Sequence, residues 1–234
     1  MNHVRLVCFD LGGVIIRHHR SWEQACRALG LPYDDAVAHP DLVRERRALT
    51  ALHHTGKIAT DEFFAALARA TGNRYSPAQV RQLHDAWIFA EYDCIGDVLQ
   101  RLVAGARADT GILSNTNEVH WNRLGHGARD GLPLFPSALQ LNHRHASHLL
   151  GLAKPDPAIY RAFETHTGYR GEDILFFDDL PENIHAAASL GWRTHLIDHT
   201  GDTAAQVEGA LHTYGLIDRY DPSSRMSSSA VTGA

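Results

Sequence analysis

Residues 4–13 read VRLVCFDLGG, and the architecture follows from this stretch. A short, mostly apolar run rich in β-branched and aromatic residues stops at Asp10, and Leu11, Gly12 and Gly13 turn the chain. A run of that kind bounded by a turn reads as a buried strand. Taken alone, Asp10 either caps the turn or belongs to a site at the strand end.

Working outward, residues 21–92 change to helical patterns with no convincing strand. Segments 44–54, 61–70 and 76–89 carry apolar residues at i, i+3, i+4 spacing. Asp61 opens one of them, and Ser76-Pro77 reads as an N-cap followed by a first helical residue. Beyond residue 92, helices and strands alternate. Helices are expected at 97–103, 118–124, 182–190 and 203–214, with another opened by Asp156-Pro157. Strands are expected at 110–113, 138–141, 174–177 and 194–197. Such alternation predicts a parallel sheet wrapped by helices on both faces. The helical block is then an insertion after the first strand. The expected division is a core of residues 1–18 and 93–220, a helical cap of residues 19–92, and a low-complexity, disordered tail of residues 221–234, DPSSRMSSSAVTGA.

Ligands of open parallel sheets collect outside the carboxyl ends of the strands. Four polar groups stand there in this chain: Asp10, Ser114-Asn115, Lys154 and Asp178-Asp179. Each also has a local explanation. Asn115 with Glu118 makes a capping box for a helix. Lys154 before Pro155 suits an exposed loop, and Asp178-Asp179 suits the start of a helix ahead of Pro181. Two adjacent carboxylates at a buried strand end nevertheless repel, and so favour a cation nearby. The four groups in this order are much harder to obtain by accident than any one of them.

With these residues assembled, the chain resembles the haloacid dehalogenase (HAD) superfamily, in the subgroup with a helical cap between its first and second motifs. Residues 9–15, FDLGGVI, are similar to the first motif, and residues 113–117, LSNTN, to the second. Residues 151–160, GLAKPDPAIY, are similar to the third, and residues 176–183, FFDDLPEN, to the fourth. The resemblance runs from about residue 4 to 200, and implies an α/β, Rossmann-like core with a small all-helical cap. It also implies a magnesium-dependent hydrolase that removes phosphate from a small phosphorylated metabolite, a sugar phosphate being one candidate. Asp10 would be the nucleophile and would carry an aspartyl-phosphate. Mg2+ would be held by Asp10, the backbone carbonyl of Gly12, and Asp179, a hard ion among oxygen ligands. Lys154 would neutralise charge on Asp10 and the phosphoryl group. Ser114 and Asn115 would bind the phosphate, with Asp178 and Asn183 in support.

The chemistry is coherent. A carboxylate with an ordinary pKa of about 3.9 is ionised at neutral pH, so Asp10 needs no base to become a nucleophile. Its difficulty is that one anion must approach another, which magnesium and Lys154 relieve. One departure from the resemblance matters: the second Asp of the first motif, a general acid and base in most relatives, is Gly12 here. General acid–base help is typically worth about 10²–10⁴-fold. A leaving group that departs without a proton would accommodate its loss, or His18 or His19 would replace it. Ala153 stands where relatives often carry Arg, and residues 142–148 form a stretch with no assigned role. The competing readings are a phosphonate-cleaving hydrolase with Lys57 as an imine-forming residue, a metal-independent haloacid dehalogenase, and a non-catalytic binding scaffold.

Bulk properties set the outer bounds. A formal net charge of -5 gives no reason to expect a nucleic-acid partner. No apolar run approaches the roughly 18 residues of a membrane helix, and Asp10 cuts short any secretory signal. Cys8, Cys26 and Cys94 lack CxxC spacing, so a reduced, cytoplasmic setting is the expectation. Lys57 and Lys154 are the two lysines among 22 basic residues, which makes each more telling than usual. The 17 histidines include clusters at 18–19, 53–54 and 143/145/148, read as solvated surface. Oligomeric state is left open.

Overall fold

A computed structural model describes residues 4–125 and 134–218, so the tail expected at 221–234 lies outside the described residues. Strand β1 (Leu6–Phe9) is followed by β2 (Ile16–His18), and four helices then succeed one another: α1 (Trp22–Leu29), α2 (Pro40–His54), α3 (Thr60–Arg69) and α4 (Pro77–Trp87). Strand β3 (Ile88–Glu91) returns the chain to α5 (Ile95–Gly105), β4 (Asp109–Ser114) and α6 (Glu118–Trp121). The remainder is β5 (His143–Ala146), α7 (Ser147–Leu150), α8 (Pro157–Thr167), β6 (Ile174–Asp178), α9 (Pro181–Ser189), β7 (Arg193–Leu196) and α10 (Thr203–Thr213).

Five strands form one parallel sheet in the order β5-β4-β1-β6-β7. Strand β1 is central because both of its faces are apolar. Val7 and Phe9 point into one core with α5 and α10, while Leu6 and Cys8 point into the other with α8 and α9. Strand β6 alternates the same way, with Leu175 and Phe177 on the first face and Ile174 and Phe176 on the second. Phe9 pairs level with Ile112 and Phe177, so Asp10, Ser114 and Asp178 stand within two residues of that level at a common edge.

The helical block has a separate core built on Phe63, Phe64, Leu67, Val80 and Leu83. Ser76 caps α4 with a full capping box through Gln79, as the Ser-Pro start implies. The block is joined to the sheet by an antiparallel ribbon of β2 and β3; the second of these begins at Ile88, inside the stretch 76–89 expected as a helix. It also rests on the sheet unit at two points. His120 Nε2 lies 2.8 Å from the His84 carbonyl, and the fully buried Arg123 donates to the carbonyls of Asp85 (2.6 Å) and Ile88 (2.9 Å). The His84 and Asp85 carbonyls are end carbonyls of α4, which no helical amide can reach, met here by a ring nitrogen and a cation, and the Ile88 carbonyl opens β3 just beyond. The second point is Gly56, where a Cβ would stand 2.8 Å from the His148 carbonyl oxygen.

Several local expectations need correction. Residues 138–141, expected as a strand, lie in a 3₁₀ turn (Pro136–Gln140) and its exit, and the sheet edge is instead His143–Ala146. That is the stretch to which no role had been assigned. Asn115 does not cap α6; Asn117 does, accepting from the His120 amide. The solvated reading of the histidine clusters fails at His53, which is buried and stacked on Phe63 at 4.0 Å, and at His145, packed edge-on against Phe163.

Candidate active site

Asp10 leaves the end of β1 and is nearly buried. Its Oδ1 accepts from the Leu11 amide at 2.7 Å and lies 3.1 Å from Lys154 Nζ, which leaves Oδ2 outside both contacts. Ser114, at the end of β4, stands beside this carboxylate and favours its ionised form. Burial pushes the Asp10 carboxyl up to about 7; Lys154 opposes the rise, and the Asp178 and Asp179 carboxylates add to it.

Lys154 Nζ bridges Asp10 and Asp178, at 2.6 Å from Asp178 Oδ2, and its side chain is wholly buried. Burial works against the ammonium charge, but the two carboxylates outweigh it and the pKa goes up. The lysine loop is held by Asn115, whose amide donates to the Lys154 carbonyl and accepts from the Lys154 amide, both at 2.8 Å. Asn115 therefore positions Lys154 through its backbone; Ser114 is the neighbour that reaches the carboxylate.

Asp178 is fully buried and fully engaged. Asn183 Nδ2 lies 3.0 Å from each of its oxygens, and the Leu180 amide donates to Oδ1 at 2.9 Å. Asp179 differs. Its Oδ2 is buried and makes no well-directed hydrogen bond, although Arg20 Nη1 approaches to 2.8 Å and His199 Nδ1 to 3.8 Å. Oxygens of Asp10, Asp178 and Asp179 all lie within 4.8 Å of one another. Gly13 passes beside them with φ +80, and a Cβ there would stand 2.3 Å from Asp179 Oδ2. Only a glycine permits that approach.

Two residues near the site were not singled out for it. Arg20 reaches Asp179 from the loop after β2, a contact between positions far apart in the chain that no local pattern announces. The sequence offers His18 as a replacement for the missing acid and base. Its ring stands where a side chain at position 12 would go: a Cβ on Gly12 would meet His18 Cδ2 at 3.1 Å and Nε2 at 3.4 Å. His18 Nδ1 lies 2.9 Å from the His19 carbonyl, an acceptor only, so Nδ1 carries the proton and Nε2 has the free lone pair in the neutral ring. Burial first, with Arg20 adding to it, lowers the His18 pKa. Lys57, by contrast, is exposed in the turn between α2 and α3 and does not line the cavity above Asp10.

The family model described as haloacid dehalogenase-like hydrolase matches residues 4–191. A phosphatase of Mycobacterium tuberculosis (strain CDC 1551 / Oshkosh) is 36% identical over 72 residues, 31% of this chain and 33% of that protein. Acyl-CoA dehydrogenase family member 10 of Mus musculus is 34% identical over 65 residues, 28% of this chain and 6% of that protein. The matches thus span a third or less of these curated relatives. Among solved structures, a HAD family enzyme from Bacteroides thetaiotaomicron in complex with magnesium and inorganic phosphate gives a TM-score of 0.67 at 22% identity, covering 85% of this chain and 96% of that one. A dehalogenase structure gives 0.58 at 19% identity, covering 86% and 88%. At such identities these likenesses speak for the fold.

Proposed function

The chain belongs to the haloacid dehalogenase-like hydrolase family, and from that premise we propose that it is a magnesium-dependent phosphatase acting on a small phosphorylated metabolite through an aspartyl-phosphate on Asp10. The observation that carries this reading is the charge count at the sheet edge. Three carboxylates within 4.8 Å of one another face one buried lysine and the partly exposed Arg20. Negative charge is in excess, Asp179 keeps a buried oxygen without a well-directed donor, and Gly13 clears the space beside it. This donor set fits a hard divalent cation.

Asp10, Asp179 and the Gly12 carbonyl would hold the ion; Asp178 is less available because Lys154, Asn183 and the Leu180 amide already engage it. When bound, Mg2+ lowers the repulsion between the Asp10 carboxylate and the incoming phosphoryl oxygens. Asp10 attacks phosphorus, forming a P–O bond as the bond to the leaving oxygen breaks with its electron pair. Lys154 and Ser114 stabilise the added charge from fixed positions. Water then attacks the same phosphorus, the Asp10–phosphorus bond breaks, and His18 Nε2 takes the water proton. In this scheme His18 is a base in the second step rather than an acid in the first, since a ring kept neutral by burial has no proton to give from Nε2.

Metal removal tests the assignment. Phosphate release from a panel of phosphate monoesters stops in EDTA and returns with magnesium, and the melting temperature rises as magnesium is added back. Full hydrolytic activity in EDTA, without any thermal shift on adding magnesium, rejects the reading in favour of a metal-independent dehalogenase. His18→Ala tests the second step. Its kcat falls by about 10²-fold, and acid quenching captures phosphorylated protein that the wild type does not accumulate. An unchanged kcat removes His18 from the mechanism.

A further inference from the structure

Above Asp10, between the sheet edge and the helical block, lies a cavity of about 420 Å³. That volume is at the small end of the roughly 300–1,000 Å³ range of small-molecule sites. Its charged residues are confined to Asp10, Arg20, Lys154 and Asp179, all around the carboxylate cluster. The wall supplied by the helical block is apolar and ring-rich, with Trp22, Phe63, Leu67, Val80, Leu83 and Trp87. The polar exceptions are few and uncharged. Thr50 offers a hydroxyl, and His54 and His84 are neutral rings whose pKa values burial drives down, to about 4 for His54; from the sheet side come Ser114, Asn115, Thr116, Asn183 and His120, whose pKa burial lowers to about 3. His120 is already engaged, its Nε2 near the His84 carbonyl and its Nδ1 near the Asn117 amide. His84 stacks on it at 4.0 Å and keeps a buried Nδ1 with no partner.

We propose that this cavity receives the leaving group of the substrate, and that this group is an uncharged aromatic alcohol, so that the enzyme hydrolyses aryl phosphates rather than sugar phosphates or bisphosphates. The proposal rests on the phosphatase reading and names its substrate class. A sugar would bring several hydroxyls to a wall with few partners, and each hydroxyl desolvated without a partner costs roughly an order of magnitude in affinity. A second phosphate or carboxylate would meet no cation there. An aromatic ring gains from burial against tryptophan and phenylalanine, and one polar substituent finds His84 Nδ1. Gly12 points the same way. A phenol with a pKa near about 10 departs without a proton far more readily than an alkanol does, and position 12 offers none.

Substrates of similar leaving-group acidity isolate the cavity from this second effect. 2-Naphthyl phosphate, phenyl phosphate and 4-carboxyphenyl phosphate all release phenols. The expected order of kcat/KM is naphthyl, then phenyl, then carboxyphenyl, the last at least about tenfold below phenyl. In parallel, calorimetry with Asp10→Asn compares naphthylmethylphosphonate with methylphosphonate. About 100-fold tighter binding of the former and a negative heat-capacity change are expected. Thr50→Trp, on a half-buried position of α2, narrows the cavity and should reduce the naphthyl preference about tenfold with the melting temperature held. Equal rates for the carboxyphenyl ester, or for glucose 1-phosphate, overturn the aromatic assignment and leave the phosphatase reading standing. Tight naphthyl binding with no ester hydrolysed overturns the phosphatase reading instead. Equal binding of the two phosphonates overturns the cavity's role outright.

Discussion

Asp10→Asn abolishes phosphate release and leaves the fold intact. The amide keeps an oxygen for the Leu11 amide and the Lys154 ammonium, so the contacts that hold position 10 survive in form. What disappears, on the proposed reading, is the anionic oxygen that would attack phosphorus, and with it one ligand of the ion. Loss of a covalent nucleophile removes about 10⁴-fold or more from kcat. Stability moves the other way. Burial already resists ionisation of Asp10, with its pKa pushed up to about 7, so a neutral amide relieves a cost that the wild type carries above that pH. The melting temperature at pH 8 therefore stays level or rises. Retention of more than a few per cent of turnover would count decisively against covalent catalysis.

Lys154→Met costs both activity and stability. Methionine matches the length of the stem but withdraws a buried ammonium from between Asp10 and Asp178. Breaking a buried pair from one side typically costs about 3–5 kcal/mol, because the remaining charge is left buried and unpaired. Denaturant unfolding at pH 8 should register a loss of that order, and kcat should fall by about 10²–10³-fold as charge stabilisation in the transition state is lost. The sign of the pH dependence follows. A carboxyl whose folded pKa is raised is stabilised by protonation, and without Lys154, which opposes the rise, the Asp10 carboxyl goes up further. The stability deficit of the variant therefore shrinks as the pH falls toward about 7, because Asp10 of the variant takes up its proton above that pH and Asp10 of the wild type only there. A deficit that does not change between pH 8 and pH 5 would show that the lysine acts by packing alone.

The parts of the fold that could be read from sequence are those whose signal is local. Strands β1, β4 and β6 are dense apolar runs because both faces are covered, and a polar residue follows each where the apolar face ends. That is why the sequence alone places Asp10, Ser114 and Asp178 at strand ends. Strand β5 escaped because it is an edge strand, His-Arg-His-Ala, with one neighbour only and no apolar alternation; its pairing to β4 and the contact of His143 with Asp109 hold it. The ribbon of β2 and β3 escaped for a related reason, since each strand is short and is specified by its partner. Within the site, the reach of Arg20 depends on how the loop after β2 folds back, and the placement of His18 against Gly12 on how β2 itself returns past the first turn, neither of which a spacing rule reports. Asn115 shows the opposite failure. A valid local capping pattern was outcompeted by two hydrogen bonds to a residue far along the chain.

The two rests of the helical block on the sheet unit bear on the timing of turnover. Arg123 and His120 pin the end of α4, and the glycine turn at position 56 sits directly against the His148 carbonyl. On the proposed reading the leaving alcohol would occupy the cavity between these contacts while the phosphoryl group stays on Asp10. Were a bulky alcohol to need either rest to part before it leaves, that opening would fall on the microsecond-to-millisecond scale of lid motions rather than of bond making. Turnover of large substrates would then be limited by a mechanical step, and that of small ones by the chemistry.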